Sequence, residues 1–365
     1  MPDIFDRVAQ KLSQHERLTR DDALALFEAP DVVRLGRLAD QLKRERWGDR
    51  AHFVINRQIN PTNVCVLSCR FCDFATKRGR DNAYEMTIHE IVQRCSEELH
   101  EVHIVAGLHP DWTWDYYLEM FRAIKAAFPK IQIKAWTAVE IDYFSKKFRL
   151  SIEQVLRQLQ AVGLAALPGG GAEVFSERVR KALFPFKIGA PRWLEIHRIA
   201  HQLGLPTNAT LLYGHMETHE ERVDHLLKLR ALQDETNGFM SFIPLAYQPG
   251  RTQVVSRQAS AIEDLKTIAI SRLVLDNVPH IKAYWVTMGE EIASVALHFG
   301  ADDLDGTIGE ERIMHAADAA SPERLTRDRL IELIRESGCT PVERDALYHT
   351  IQLYDEDSRF ASAVS

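Results

Sequence analysis

Three cysteines within one eight-residue stretch have the clearest capacity for chemistry in this sequence. Cys65, Cys69 and Cys72 form a C-x3-C-x2-C pattern directly after an apolar run at residues 53–59. Three thiolates on one short loop can hold three irons of a 4Fe–4S cluster, because soft sulfur ligands suit iron–sulfur chemistry. The spacing therefore predicts a cluster-binding loop.

The missing fourth cysteine determines what such a cluster could do. A cluster that only transfers electrons normally has four cysteine ligands, so here one iron would stay open to a small chelating molecule. The amino and carboxylate groups of S-adenosylmethionine (SAM) fit that position. Reductive cleavage of the sulfonium would release a 5′-deoxyadenosyl radical, while the protein provides position and excludes solvent.

A structural zinc site is the alternative interpretation of the three thiols. Zinc prefers four tetrahedral ligands, usually supplied as two separated pairs. The remaining cysteines are Cys95, on an apolar helical pattern, and Cys339, in the distant tail. Both are typical of packing residues. The cluster is favoured, and a non-catalytic iron–sulfur or zinc-binding scaffold is kept as the alternative from another class.

Short apolar runs alternate with longer helical patterns on both sides of the cysteine loop. This alternation favours parallel strands joined by right-handed crossovers. The stretch that contains them is close to the roughly 250 residues of a (β/α)8 barrel. An open doubly wound sheet is the alternative, but no G-x-G-x-x-G follows the first strand. The eight candidate strands are residues 53–59, 102–106, 131–136, 164–167, 207–213, 239–244, 281–286 and 301–304.

We therefore predict an α/β protein with a TIM-type barrel at residues 53–320. A helical cap is expected at residues 1–52, and a C-terminal helical tail, packed on the barrel, at residues 321–365. Four pairs with capping-box spacing predict helix starts. These pairs are Thr87 with Glu90, Ser151 with Gln154, Thr218 with Glu221, and Ser260 with Glu263.

Composition limits the classes of function that remain. The chain has 365 residues and a net charge of −7, which argues against sequence-independent binding of nucleic acid. No run approaches the roughly 18 apolar residues of a membrane-spanning helix, and the N-terminus has no apolar signal-peptide core. We expect a cytoplasmic protein with no nucleic-acid or membrane partner.

The cysteine loop resembles that of the radical SAM superfamily, in which an aromatic residue, here Phe71, precedes the last cysteine. The resemblance continues through residues 105–111, 134–141, 167–173 and 299–307, each at the end of a candidate strand. Within the superfamily these segments are similar to the futalosine-pathway enzymes of menaquinone biosynthesis and to deazaflavin synthases. The segment from Thr137 to Ile141 resembles the aminofutalosine-forming subfamily, since the related cyclase usually has Ser-Pro-Pro-Glu there.

The resemblance implies a transferase that joins SAM to 3-[(1-carboxyvinyl)oxy]benzoate. The adenosyl radical adds to the enol-ether carbon, and aryl migration and loss of a carboxylate give 6-amino-6-deoxyfutalosine, methionine and bicarbonate. The implied partners are this small substrate and an electron donor such as flavodoxin or ferredoxin. Cyclic dehypoxanthine futalosine synthase and a deazaflavin-type synthase are the alternatives in the same superfamily.

Residues at the strand ends complete the expected site, because active sites of such barrels lie at that face. Glycines there allow close approach to a ligand, and guanidinium groups suit the two substrate carboxylates. The expected SAM-binding residues are Phe71, Gly107, His109, Thr137, Glu140, Gly170 and Glu173. The expected substrate-binding residues are Arg57, Asn60, His215, Tyr247, Arg251 and Asp303.

Overall fold

A ring of parallel strands lies at the centre of the computed structural model, which describes residues 3–355. In the described residues the strands are β1 (Arg50–Val54), β2 (Asn56–Ile59), β3 (Glu101–Ile104), β4 (Gln132–Ala135), β5 (Leu164–Ala166), β6 (Thr207–Tyr213), β7 (Phe239–Ala246), β8 (His280–Ile281), β9 (Asp303–Gly306), β10 (Thr340–Arg344) and β11 (Thr350–Leu353).

Hydrogen bonds between neighbouring strands close this ring. Strands β2 to β5 pair in chain order, as do β6 to β8. Single bridges from Leu167 to Thr207 and from Lys282 to Asp303 join β5 to β6 and β8 to β9. Strand β9 pairs with β1, which β2 continues after a break at Ile55. Counting β1 and β2 as one strand gives eight, so the predicted (β/α)8 barrel is confirmed.

The last two barrel strands differ from the sequence prediction. Residues 281–286 were expected to be one strand, but β8 ends at Ile281 and Trp285–Met288 forms a short helix. Apolar periodicity alone cannot distinguish a short buried strand from a buried helix. The final strand begins at Asp303 instead of residue 301, and its two inward carboxylates pair with buried cations from distant segments.

Helices follow the strands and surround the barrel. In the described residues they are α1 (Ile4–Ser13), α2 (Arg20–Glu28), α3 (Val32–Trp47), α4 (Ile88–Gln93), α5 (Trp114–Ala127), α6 (Ala138–Phe148), α7 (Ile152–Ala161), α8 (Glu177–Leu183), α9 (Ala190–Gln202), α10 (His219–Thr236), α11 (Ala261–Val274), α12 (Trp285–Met288), α13 (Glu290–Ala296) and α14 (Arg327–Glu336). None of these helices is both long and apolar enough to cross a lipid bilayer.

The four predicted helix starts are all present. Reciprocal capping boxes open α4, α7 and α10, where each N-cap hydroxyl accepts the third N–H and the third side chain accepts the N-cap N–H. At α11 the Ser260 hydroxyl accepts from the Glu263 N–H, without the return bond. Sequence spacing of this kind therefore locates these helix starts, because the orphaned N–H groups need partners.

The two ends of the chain are joined to the barrel differently from the expectation. Helices α2 and α3 pack against α10 and α11, and the sheet begins at Arg50, inside the segment assigned to the helical cap. The tail contains the expected helix, α14, but also β10, which lies parallel to β1, and β11, which is antiparallel to β10. Residues 356–365 of the predicted tail lie outside the described residues.

The barrel interior holds buried charges where such barrels usually contain branched aliphatic side chains. The Lys134 ammonium lies 2.7 Å from Glu101, Lys282 lies 3.2 Å from Asp305, and Arg344 Nε donates to Asp303 over 2.7 Å. These acidic and basic groups balance in number. A buried charge is tolerated when it is paired, so the pairs allow a polar floor beneath the barrel mouth.

Candidate active site

A pocket of about 280 Å³ opens at the ends of the barrel strands, bordered by the cysteine loop. Its walls come from the loops that follow strands on both sides of the barrel, as expected for the carboxyl face of this fold. Ten of the predicted site residues line it: Cys65, Cys69, Phe71, Cys72, Gly107, Thr137, Glu140, Gly170, Glu173 and Tyr247.

Backbone hydrogen bonds and one lysine hold the cysteine loop in place. The Cys65 N–H donates to the Thr76 carbonyl over 2.9 Å. The Lys77 ammonium donates to the carbonyl oxygens of Cys65, Val66 and Leu67 over 2.9, 3.1 and 2.7 Å. Sequence reasoning did not single out Lys77, because an exposed lysine has no local signature of such a role. The loop is therefore fixed by the protein's own contacts.

The three thiols suit an iron–sulfur cluster better than a single zinc ion. All three are free and half-buried. Among residues 3–355, one group of three ligand atoms lies within 4.8 Å of one another, and it does not include these sulfurs. Three thiolates bound to one zinc ion at about 2.3 Å would lie less than 4.8 Å from one another. Burial raises the pKa of Cys69 to about 11 and also raises that of Cys72.

Lys187 places a positive charge against the thiols, although sequence reasoning missed it. Its ammonium pairs with the Glu173 carboxylate and lies 5.0 Å from the centre of the Phe71 ring. Burial alone would lower the pKa of Lys187, but the charges of Glu173 and Cys69 raise it above its ordinary value. The ammonium therefore stays charged, and it can attract an anionic cluster or a carboxylate. We find no local sequence signal for this role.

Glu140 connects the ends of two neighbouring strands on another wall of the pocket. Its carboxylate accepts hydrogen bonds from the Ala106 N–H over 2.9 Å and from the Thr137 N–H over 2.6 Å. The bond from Thr137 belongs to the capping box that opens α6. Burial raises the pKa of Glu140 to about 7, and these backbone bonds oppose the rise. A hydroxyl-bearing ligand could donate to this carboxylate.

Gly107 is required for the close packing of two pocket loops. A Cβ atom at Gly107 would lie 2.3 Å from the Val64 carbonyl oxygen, which no side chain can tolerate. The Gly107 N–H donates to the Thr62 carbonyl over 2.9 Å. The expected role was approach of the backbone to SAM. The structure adds a second reason, because only glycine lets this turn lie against the cysteine loop.

His109 lies outside the pocket lining. Its ring is buried and stacks on Trp112, with ring centres 4.6 Å apart. The Nδ1 atom accepts from the Trp112 N–H over 3.2 Å, and Nε2 lies 3.1 Å from the Glu85 carboxylate. The structure therefore gives His109 a role in shaping the turn after β3 in place of the expected SAM contact.

Arg57 and Asn60 also lie away from the pocket lining. The Arg57 guanidinium is 3.6 Å from Glu310. The Asn60 amide donates to the Val105 carbonyl over 3.0 Å, and its oxygen accepts from the Arg312 N–H over 3.2 Å. Both side chains of the first barrel strand thus bind neighbouring loops, and neither is placed to bind a substrate carboxylate.

Arg251 joins two loops at the rim. Its N–H donates to the Asp73 carboxylate over 3.0 Å, and its guanidinium donates to the Asp73 carbonyl over 3.0 Å. The side chain is 69% exposed and does not line the pocket. An exposed arginine that lies beside an acidic residue of another loop pairs with it. The sequence order does not show that the two loops are neighbours.

His215 and Asp303 are held by buried contacts that the sequence prediction did not include. His215 Nδ1 lies 3.0 Å from the Glu217 carboxylate, and Asp303 accepts from Arg344 beneath the pocket. The neighbouring inward residue, Asp305, lines the pocket in its place. The alternation of side chains along β9 puts Asp305 one layer nearer the mouth.

The fold and the site together are a closed barrel with three free thiols on one loop at its mouth. The radical SAM superfamily model matches residues 59–229, and the model described as the CofH/MqnC C-terminal region matches residues 236–356. The chain belongs to the radical SAM superfamily of enzymes, in the family that carries the CofH/MqnC C-terminal region.

Three characterised relatives align with nearly the whole chain. The aminodeoxyfutalosine synthase of Thermus thermophilus is 46% identical, with coverage of 95% of this chain and 96% of that protein. The Streptomyces coelicolor enzyme of the same name is 45% identical, with coverage of 95% and 94%. The cyclic dehypoxanthine futalosine synthase of Streptomyces coelicolor is less similar, at 38% identity with coverage of 96% and 91%.

Solved structures support the fold. Methylornithine synthase (PylB) superposes with a TM-score of 0.73 at 18% identity, covering 99% of this chain and 100% of that one. The hydrogenase maturase HydG from Carboxydothermus hydrogenoformans gives 0.72 at 16% identity, covering 94% and 80%. At these identities the likeness concerns the barrel and not the reaction.

Proposed function

We propose that this chain is a radical SAM transferase that forms 6-amino-6-deoxyfutalosine from SAM, 3-[(1-carboxyvinyl)oxy]benzoate and water, releasing methionine and bicarbonate. The observation that carries the proposal is full-length identity of 46% and 45% to two aminodeoxyfutalosine synthases, against 38% to a cyclic dehypoxanthine futalosine synthase. The three thiols at the mouth of the pocket support the same chemistry.

The pocket contains residues suited to the cluster and residues suited to SAM. Cys65, Cys69 and Cys72 would hold a 4Fe–4S cluster, and their spread beyond 4.8 Å suits a multi-iron group. When bound, the cluster and SAM supply a 5′-deoxyadenosyl radical that adds to the enol-ether carbon. In this proposal the Lys187 ammonium attracts the SAM carboxylate, and Glu140 accepts hydrogen bonds from the ribose hydroxyls.

The remaining walls can orient the substrate and exclude water. Ile243, Leu245, Ile313 and Met314 are apolar residues of the pocket lining. The Glu311 carboxylate fixes that side, since it accepts from the N–H groups of Ile313 and Met314 over 2.8 and 2.7 Å. An apolar wall suits an aryl ring, and dry surroundings protect a reactive species from side reactions.

A small reduced protein such as flavodoxin or ferredoxin is the electron donor in this proposal, and the cytoplasm is its compartment. Four basic residues on and next to the cysteine loop are exposed: Arg70, Lys77, Arg78 and Arg80. They stand out on a chain whose net charge is −7. Such a local positive surface favours encounter with an acidic donor.

The fate of the adenosyl group tests the proposed reaction. Reduced, cluster-loaded enzyme is incubated with the enol-ether benzoate and SAM labelled in its adenine ring. We expect label in a product with the mass of aminofutalosine, with methionine in equal amount and little free 5′-deoxyadenosine. Cys69→Ala is the matched control and should give neither product. Stoichiometric labelled 5′-deoxyadenosine, together with turnover of dehypoxanthine futalosine, would instead identify the cyclase.

A further inference from the structure

The floor of the pocket contains a group of polar side chains that the sequence prediction did not include. His103 on β3, Lys134 on β4 and Asn208 on β6 all line the pocket. His103 and Lys134 are direct partners in the register of β3 and β4, so their side chains emerge next to each other on the inner face of the barrel. The three lie deeper in the barrel than the cysteine loop.

Two of these side chains lack partners within residues 3–355. The Asn208 side chain makes no hydrogen bond in the described residues, on a residue that is 2% exposed, so its NH2 group is free to donate. The His103 imidazole makes no hydrogen bond in the described structure and keeps surface open to the pocket. Burial lowers the pKa of His103 to about 4, so its ring is neutral and has one N–H to donate. Both side chains therefore have a donor available to a ligand that enters the pocket.

Lys134 adds a positive charge to the same floor. Its ammonium lies 2.7 Å from Glu101, and an ammonium has three N–H donors, so further acceptors can be bound. Burial lowers the pKa of Lys134, and the Glu101 carboxylate opposes this shift. The other charges facing this floor are those of Lys282, Asp305 and Arg344. Lys282 pairs with Asp305, and Arg344 pairs with Asp303, so a bound carboxylate would be held by hydrogen bonds and not by an excess of positive charge.

The floor lies further into the barrel than the level at which the substrate must react. His103 precedes Val105 on the inner face of β3 by two residues, which corresponds to about 6.6 Å along a strand. The reacting alkene must lie near the cysteine loop, at the level of Gly107 and beyond Val105. A benzoate ring that extends inward past the apolar side chains of Leu212 and Ile243 would bring its carboxylate to the floor.

We propose that His103, Lys134 and Asn208 form the subsite that binds the aryl carboxylate of the substrate. This inference rests on the proposed function and specifies which end of the substrate enters first. Arg57 and Arg251 are already bound to Glu310 and Asp73, and Lys187 at the mouth is paired with Glu173, so the floor provides donors for a second carboxylate. The subsite selects substrates by the presence of that carboxylate.

Binding without turnover tests the subsite. Cluster-loaded protein with SAM, but without reductant, is titrated calorimetrically with 3-[(1-carboxyvinyl)oxy]benzoate and with 2-phenoxyacrylate, which lacks only the aryl carboxylate. We expect the wild-type protein to bind the benzoate more tightly by about tenfold or more, the value of one charge-assisted hydrogen bond. The variants His103→Phe and Asn208→Leu remove the polar atoms at nearly constant volume.

Each variant should bind the benzoate less tightly while its affinity for 2-phenoxyacrylate stays close to the wild-type value. His89→Phe, at an exposed histidine of α4, is the matched control and should behave as wild type. Iron content and SAM affinity establish that each variant is folded.

Four outcomes separate this inference from the proposed function. Equal wild-type affinity for the two compounds would overturn the subsite, as would variants that keep the full wild-type preference for the benzoate. Variants that weaken both compounds alike would also overturn it, since only the aryl carboxylate should lose a partner. If the wild-type protein binds SAM but neither compound, the proposed function itself fails.

Discussion

Lys187 and Glu173 form a largely buried ion pair beside the three thiols, and the Lys187 ammonium lies 5.0 Å from the centre of the Phe71 ring. The two charged residues come from segments on either side of α8, so the pair fixes one segment against the other. The pair also keeps a positive charge next to Cys69, where an anionic cluster would need one.

Replacing Lys187 by Met should lower the stability of the protein. Glu173 would then stay in a nearly buried position without its cation, and breaking a buried pair in this way costs about 3–5 kcal/mol. We expect a lower urea midpoint for the cluster-free protein, measured by circular dichroism. SAM affinity of the reconstituted protein should also fall, because the positive charge beside the site is lost.

Two further variants separate the ion pair from a general effect of losing a lysine. Lys181→Met removes an exposed lysine of α8, 3.7 Å from Glu177, and should leave the urea midpoint unchanged. Adding Glu173→Gln to Lys187→Met should recover part of the lost stability, since no unpaired charge remains. A midpoint for Lys187→Met equal to that of wild type would contradict the prediction.

Gly107→Ala should disturb the cysteine loop although it changes no thiol. The added Cβ would approach the Val64 carbonyl oxygen to 2.3 Å, so the turn after β3 and the loop must separate. We expect reduced iron incorporation on anaerobic reconstitution, measured against protein concentration. Gly189→Ala is the control, because its Cβ would meet nothing closer than 3.8 Å. Equal iron contents for the two variants would show that the loop tolerates the shift.

Local patterns in the sequence were sufficient to predict the barrel and the thiol loop. Apolar runs and capping boxes depend on neighbours within a few residues, as at Thr87 and Ser151. The three cysteines also lie on one short segment. Elements whose partners are distant in sequence were less predictable, such as β10, which lies beside β1.

The orientation of long polar side chains could not be predicted. Arg57 and Arg251 lie near the mouth in sequence, but each is bound to a carboxylate or carbonyl of another loop. Conversely, Lys134 and Lys187 would ordinarily be assigned to the surface, because lysines are rarely buried. Each is buried beside a carboxylate from a different segment, and that pairing becomes visible only in three dimensions.

The thiol assignment predicts a sharp division among the five cysteines. Replacing Cys65, Cys69 or Cys72 by Ala should abolish SAM cleavage, because two protein thiolates hold a cluster poorly. Wild-type protein should bind about four irons per chain after anaerobic reconstitution, and each of these variants should bind fewer. Iron and sulfide analysis with a visible absorption spectrum provides the measurement.

The other two cysteines serve as internal controls. Cys95 is buried at the end of α4, with its sulfur 3.7 Å from the Ile91 carbonyl oxygen, and Cys339 lies 3.6 Å from the Lys43 ammonium. Neither lines the pocket, so Cys95→Ala and Cys339→Ala should retain the cluster and the activity. Loss of the cluster in Cys339→Ala, with its retention in Cys65→Ala, would overturn the assignment.

SAM binding should depend on pH through Glu140. Burial raises the pKa of this carboxyl group to about 7 in the ligand-free protein, against the effect of bonds from the Ala106 and Thr137 N–H groups. If the ribose hydroxyls donate to Glu140, SAM binds the ionised form. Below pH 7 a proton must leave before SAM binds, so affinity should fall by up to about tenfold per pH unit, and above pH 7 it should level off.

The ratio of wild-type to Glu140→Gln affinities, measured by equilibrium dialysis at each pH, isolates this carboxylate from the titration of SAM itself. A ratio that stays constant between about pH 5.5 and 8, the range over which a group of pKa about 7 titrates, would exclude Glu140 as the acceptor.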